Sequence, residues 1–125
     1  TNHDTISSRE LPSTERKIVL DFIDPDREFE FIENESSAVR LALALHNDRE
    51  LIKKAFEMAL APPGAFVIYY GDEIEMQNAV FPKKPEDARV YVRGEFDWER
   101  MQKMHDDPDS VYNFLRTTIS KRSHA

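Results

Sequence analysis

Residues 63–76 read Pro63-Gly64-Ala65-Phe66-Val67-Ile68-Tyr69-Tyr70-Gly71-Asp72-Glu73-Ile74-Glu75-Met76. From Ala65 to Tyr70 there is no polar alternation; Pro-Gly stands in front and Gly-Asp-Glu behind. A half-exposed strand alternates apolar and polar residues, whereas a strand covered on both faces of a parallel sheet stays apolar throughout. The stretch therefore predicts a buried strand that ends on carboxylates.

Helices are predicted on either side of it. Upstream, Asn47-Asp48-Arg49-Glu50 sets a short polar residue three positions before Glu, as helix N-termini do. Leu51, Ile52, Ala55, Phe56 and Ala59 then share one helical face, and Pro62-Pro63-Gly64 ends the element after Leu60. Ser36 or Ser37 to Leu45 is a further helix candidate, apolar apart from Arg40. Ser13 or Thr14 is suited to cap a helix carrying Ile18, Val19, Phe22 and Ile23, which Asp24-Pro25 stops. Thr1 to Glu10 reads as a loop, and Asp26 to Glu35 has no firm assignment. Downstream, residues 71–106 read as one long loop with Pro82 and Pro85, and loops of that length are usually functional or disordered. Asp107 and Pro108 then introduce a last helix, with Val111, Phe114, Leu115, Thr118 and Ile119 at helical spacing. Lys121 and Arg122 complement the dipole at its end. The order is loop, helices, buried strand, long loop, helix: an α/β alternation in a single unit, 1–125.

Composition narrows the function classes. A chain of 125 residues is long enough for one core, and three glycines are too few for an all-β fold full of tight turns. A net charge of −7 argues against a nucleic-acid partner, which needs clustered Lys and Arg. No run approaches the ~18 apolar residues of a membrane span and there is no signal-peptide pattern, so no membrane partner is expected. Without cysteine there is no thiolate chemistry; a reducing compartment is permitted, and the cytoplasm is the expected location.

Three constellations carry candidate chemistry. Asn2-His3-Asp4 taken alone is an ordinary turn with a His-Asp hydrogen bond. Gly71-Asp72-Glu73 is either a polar strand end, anchoring its loop or pairing with Arg89 or Arg93, or a site carboxylate pair. Arg93-Gly94-Glu95-Phe96-Asp97-Trp98 is either a surface turn or a sugar subsite, where aromatic faces stack on pyranose rings and Arg and Asp bind hydroxyls. No Ser is placed to make a nucleophile triad. His3, His46, His105 and His124 lack metal-ligand spacing, so no metal site is predicted.

Together these segments resemble the α-amylase family of glycoside hydrolases. Pro63 to Met76 is similar to that family's eighth-strand signature, P-G-T-P-x-[IL]-Y-Y-G-D-E-I-G-M. Thr1 to Asp4 resembles its N-H-D motif after the seventh strand, and Arg93 to Trp98 its R-x-P-M-x-W segment. Asp109-Ser110-Val111-Tyr112-Asn113-Phe114-Leu115-Arg116 is similar to the D-S-x-x-N-x-x-[RK] start of its last barrel helix. The run Arg40-Leu41-Ala42-Leu43-Ala44-Leu45-His46-Asn47-Asp48-Arg49 resembles the trehalose synthase (maltose glucosyltransferase) branch. Ala65-Phe66 in place of Thr-Pro, Glu75 in place of Gly, and Gly94-Glu95-Phe96 in place of Thr-Pro-Met depart from the pattern.

The resemblance implies the C-terminal segment of a TIM-type (β/α)8 barrel, from the end of the seventh strand through the eighth helix. It implies Asp4 as the carboxylate that stabilises the transition state and His3 as a ligand of the sugar in the −1 subsite. Arg93 and Trp98 are implied to border the aglycone side. An oxocarbenium-like transition state gains from a nearby negative charge and from strengthened hydrogen bonds to ring hydroxyls. The implied substrate is an α-glucan or α-linked disaccharide; no organic cofactor is implied, and calcium enters only through the resemblance, with no site pattern visible. A retaining mechanism also needs a nucleophile and an acid/base carboxylate about 5–5.5 Å apart, and the family's G-x-R-x-D motif does not occur here. The chain begins with Thr inside a motif and looks like a fragment, inactive by itself, whose partner is the remainder of the barrel. The alternative expectation is a free-standing, non-catalytic module that binds a protein or a saccharide.

Overall fold

The computed structural model describes residues 4–123. A small antiparallel sheet organises the first third of the chain. In it β1 (Ile6–Ser7) and β2 (Glu30–Ile32) flank β3 (Ser36–Ser37), in the order β1-β3-β2. Ile6 and Ser7 sit opposite Ser37 and Ser36, and a register shift between Glu30 and Ile32 bends the other edge. The segment left unassigned from sequence thus supplies a hairpin. Asn34 turns it with a φ of 56°, a left-handed position that Asn tolerates, and the Glu35 N–H donates to the Ile32 carbonyl at 3.0 Å.

The first helix, α1 (Ser13–Ile23), matches its expected span, although Pro12 stands at its N-cap and no side chain caps it. Ser13 is inside the helix, where Pro's fixed φ in front has already set its direction. Leu20 and Ile23 face the core. Asp24 ends α1 and is buried, and its carboxylate accepts from the Glu28 and Phe29 N–H groups and the Ser37 hydroxyl at 2.8–3.0 Å. Three donors offset the cost of burying that charge and tie α1 to the sheet.

The helix expected from Ser36 or Ser37 to Leu45 is corrected to a strand followed by one helical turn, α2 (Leu41–Ala44). The Ala38 N–H donates to the Phe29 carbonyl and the Arg40 N–H to Asn78 Oδ1, so both donors are taken before helical geometry begins. His46 and Asn47 then adopt φ values of 57° and 58°, which break the helix. Asp48 accepts from the Glu50 and Leu51 N–H groups and starts α3 (Arg49–Leu60), one residue beyond the expected cap. Ile52, Phe56 and Leu60 are its buried stripe and share a core with Ala42, Val111 and Leu115.

The principal correction concerns residues 65–70. They are irregular, pair with no strand, and are largely exposed; Val67 is 83% exposed. Covering an apolar strand on both faces takes neighbouring strands and packed layers, and the sheet among the described residues is the antiparallel one above. The fold is a small mixed α/β arrangement, about half helical. The long loop of residues 71–106 is also revised. It holds 3-10 turns at Asp72–Ile74 and Ala88–Val92 and a helix, α4 (Trp98–Asp106), with Asp97 accepting from the Arg100 N–H at 2.8 Å. Trp98, Met101 and Met104 recur at every third position of α4, but no residue of this helix is buried.

The last helix, α5 (Val111–Ser123), starts three residues later than expected. Asp107 closes α4, and the Ser110 hydroxyl accepts from the Asn113 N–H at 3.1 Å. No helix among the described residues is long and apolar enough to cross a membrane.

Candidate active site

Asp4 precedes β1, whose pairing with β3 fixes where the carboxylate lies. It is buried, with 7% exposure, and Arg93 grips it with two bonds, Nη2 to Oδ2 at 2.6 Å and Nε to Oδ1 at 3.2 Å. The fork of a guanidinium matches a carboxylate in this way and fixes its orientation as well as its charge. The hydrogen bond to Asp4 in turn raises the pKa of Arg93.

Arg93 is held from behind by the Ala88–Val92 turn. Ala88, Tyr91 and Val92 are buried with Ala38 in a core of their own. Asp87 accepts from the Arg89 N–H and pairs with its guanidinium, hydrogen bonds that bring the Asp87 carboxyl down to about 2. Arg89 also lies over the Phe31 ring at 4.9 Å, joining this turn to β2.

Tyr69 supplies the third group. Its hydroxyl lies 3.3 Å from Asp4 Oδ1 and 3.1 Å from the Val92 carbonyl, and its single hydrogen is shared between these acceptors. Burial first, then the electrostatic influence of Tyr70 and of Asp4, pushes Tyr69 up to about 12, so it remains a donor at neutral pH. Tyr69 also lines an open groove of about 780 Å³, together with Thr5, Val92, Ala55, Ala59 and Val67.

Asp72 and Glu73 serve other purposes. Asp72 Oδ1 lies 3.3 Å from Arg40 Nη1, so its partner is neither Arg89 nor Arg93. Burial outweighs the pull of Arg40 and raises Asp72 to about 6. Glu73 Oε2 accepts from the Gly71 N–H at 2.7 Å. The pair anchors its turn, the structural alternative raised by the sequence. Gly71 has a φ of 92°, and a β-carbon there would collide with Met76 Sδ and press on Arg40 Nη1 at 3.2 Å. Its glycine is therefore required.

Comparison with protein-family models, curated proteins and solved structures gave no match.

Of the residues singled out by sequence, Asp4 and Arg93 are brought together and His3 lies outside the described residues. Trp98 opens α4, is 75% exposed, and meets the Phe96 ring at 4.7 Å. No group of three or more His, Cys, Asp or Glu that could hold a metal ion occurs among the described residues. Sequence reasoning missed Tyr69 as part of the site and Arg40 as a buried cation beside it. The lone charge in the apolar run 38–45 was the visible signal for Arg40, since an Arg placed there must find a buried partner.

Proposed function

We propose that this chain forms the end of the catalytic domain of a retaining glycosidase or transglycosylase acting on α-glucans or α-linked disaccharides, with Asp4 as the carboxylate that stabilises the transition state. The observation that carries this reading is the setting of Asp4, buried and gripped by Arg93 and by Tyr69, whose side chain lines an open groove. A charge held in a fixed direction by donors needs no reorganisation when positive charge develops on a sugar ring, and that is how such a group lowers a barrier. The four sequence motifs, in the family's order along the chain, support the same reading. The nucleophile and the acid/base would come from residues beyond these 125, and the remainder of a barrel would cover the exposed apolar segment 65–70.

In a protein carrying this chain together with those two carboxylates, Asp4→Asn keeps the shape and removes the charge. The expected result is a fall in kcat of about 100-fold or more, read with a chromogenic α-glucoside. Turnover within a few-fold of the parent would remove Asp4 from the reaction. The chain alone is expected to show no turnover of maltose or trehalose.

One observation favours the second reading, a non-catalytic binding module: both Asp4 oxygens are engaged by Arg93, as in a purely structural ion pair. Chemical-shift changes at Arg93 and Trp98 on adding maltotriose to the isolated chain, together with an unaffected Asp4→Asn enzyme, would select it.

A further inference from the structure

Arg40 is 2% exposed, in a segment whose other side chains are apolar. Its guanidinium carbon stands 4.7 Å from the centroids of both the Tyr69 and the Tyr70 rings, which meet each other at 64°. Nη1 donates to the Tyr70 carbonyl and to Asp72 Oδ1. The Arg40 backbone is pinned as well, because Asn78 accepts from its N–H at 2.7 Å and donates to the Ala38 carbonyl at 2.9 Å. Nε and Nη2 find no hydrogen-bond partner among the described residues. Burying a cation with two idle donors is unfavourable, and an apolar side chain of similar volume would satisfy packing at lower cost. The placement of the charge needs another account than stability.

That account lies in what the two tyrosines reach. The Tyr69 hydroxyl touches Asp4 and the Val92 carbonyl, and the Tyr70 hydroxyl donates to the Gly94 carbonyl at 2.7 Å. Val92 and Gly94 flank Arg93, the residue that grips Asp4. The two ring planes that meet Arg40 thus end on either side of Arg93. We propose that Arg40 is the positioning residue of this site: packed against both Tyr69 and Tyr70, whose rings also touch each other at 4.9 Å, it fixes both rings and through them aims Arg93 and the Tyr69 hydroxyl at Asp4. A cation packed against two aromatic rings is attracted to both and favours their mutual tilt, which an aliphatic side chain of equal volume does not. Its charge also counters the rise in the Tyr69 pKa. The catalytic consequence rests on the glycosidase reading; the geometric one does not.

The test reads the Asp4–Arg93 pair directly, by NMR exchange of the Arg93 Nε–H with solvent in the 125-residue chain. Arg40→Gln removes the charge and keeps a planar donor. It is expected to speed Arg93 Nε–H exchange by about ten-fold or more while the α3 amides of Ile52 and Phe56 stay within about two-fold. Arg40→Lys, which keeps the charge, is expected to stay within about three-fold of the parent. Unchanged Arg93 exchange in the Gln variant overturns the proposal, and so does equal acceleration at Arg93 and in α3, which marks general loosening. If the Gln variant does not fold, Tyr70→Phe cuts the link to Gly94 alone; the same acceleration is expected and unchanged exchange is fatal to the idea. In the complete enzyme, Arg40→Gln should lower kcat with KM within about three-fold. Faster Arg93 exchange with kcat unmoved supports the positioning role and sinks the glycosidase reading instead.

Discussion

Glu75 holds a left-handed backbone position, φ 57° and ψ 39°, at the end of the Asp72–Ile74 turn. A residue with a β-carbon is strained there by roughly 1 kcal/mol relative to Gly. What it gains is Arg49, whose Nε and Nη2 donate to its two oxygens at 3.2 and 3.0 Å in a buried setting. The two effects separate by mutation. Glu75→Ala keeps the strain and loses the pair, whereas Glu75→Gly loses both. The glycine variant should therefore be the more stable of the two by about 1 kcal/mol in urea unfolding, and equal midpoints would show that the position is unstrained. Asp72 allows a test in pH. Its carboxyl is raised from 3.8 to about 6, so between those values the folded chain keeps a proton that the unfolded chain has released. Its contribution to stability is fully present below about pH 4 and is lost as pH rises through 6. Asp72→Asn has no such dependence. Its stability relative to the parent should improve by roughly 2 kcal/mol from pH 4 to pH 7; a difference independent of pH would mean that burial does not control this group.

The helices show how motifs work at the scale of elements. Asp109-Ser110 to Asn113 resembles a helix start, and its side chains join two helices. Asn113 Nδ2 lies 2.8–3.2 Å from the carbonyls of Met104, His105 and Asp107, and the Ser110 hydroxyl donates to the Met104 carbonyl at 2.6 Å. These are the orphan carbonyls at the end of α4, which an exposed helix leaves to water. Asn113→Ala should cost about 1–3 kcal/mol. Asn113→Asp should cost at least as much at pH 7, by turning a charge toward three carbonyls, and should recover part of the loss at pH 3; thermal unfolding at both pH values decides it. The spans of α1, α3 and α5 were legible because each buries a stripe at helical spacing. Their caps were misplaced at Ser13, Asn47 and Asp107 by one to three residues, since in each stretch several short polar residues compete for the role. Only Trp98, Met101 and Met104 mark α4, a short signal between two proline-bearing stretches, and the strand Ser36–Ser37 hides in a run that reads as helix until the donors of Ala38 and Arg40 are seen to be taken.

For the whole molecule, three small cores replace a single one, and residues 65–69 line an open groove of about 780 Å³, with Val67 83% exposed. Periodicity correctly marks that segment as apolar, but apolarity alone does not supply the strands that would pair with it; non-local pairing leaves little trace in a local window. The Asp4–Arg93 pair, 89 positions apart in sequence, was out of reach for the same reason, whereas both residues were legible as candidates through their motifs. An exposed apolar run of this kind favours self-association. The isolated chain should show concentration-dependent light scattering that Val67→Lys reduces without changing the thermal midpoint by more than ~2 °C, and scattering unaffected by the substitution would place the sticky surface elsewhere.

The strand order carries a kinetic consequence. β2 and β3 are joined by a short turn and can pair early, whereas β1 must cross about thirty positions of chain to reach β3 and meets it through only two residues. Asp4 travels with β1. The carboxylate at the heart of the candidate site is therefore expected to arrive late in folding, and the amides of its strand are expected to exchange with solvent faster than those of α3 and α5.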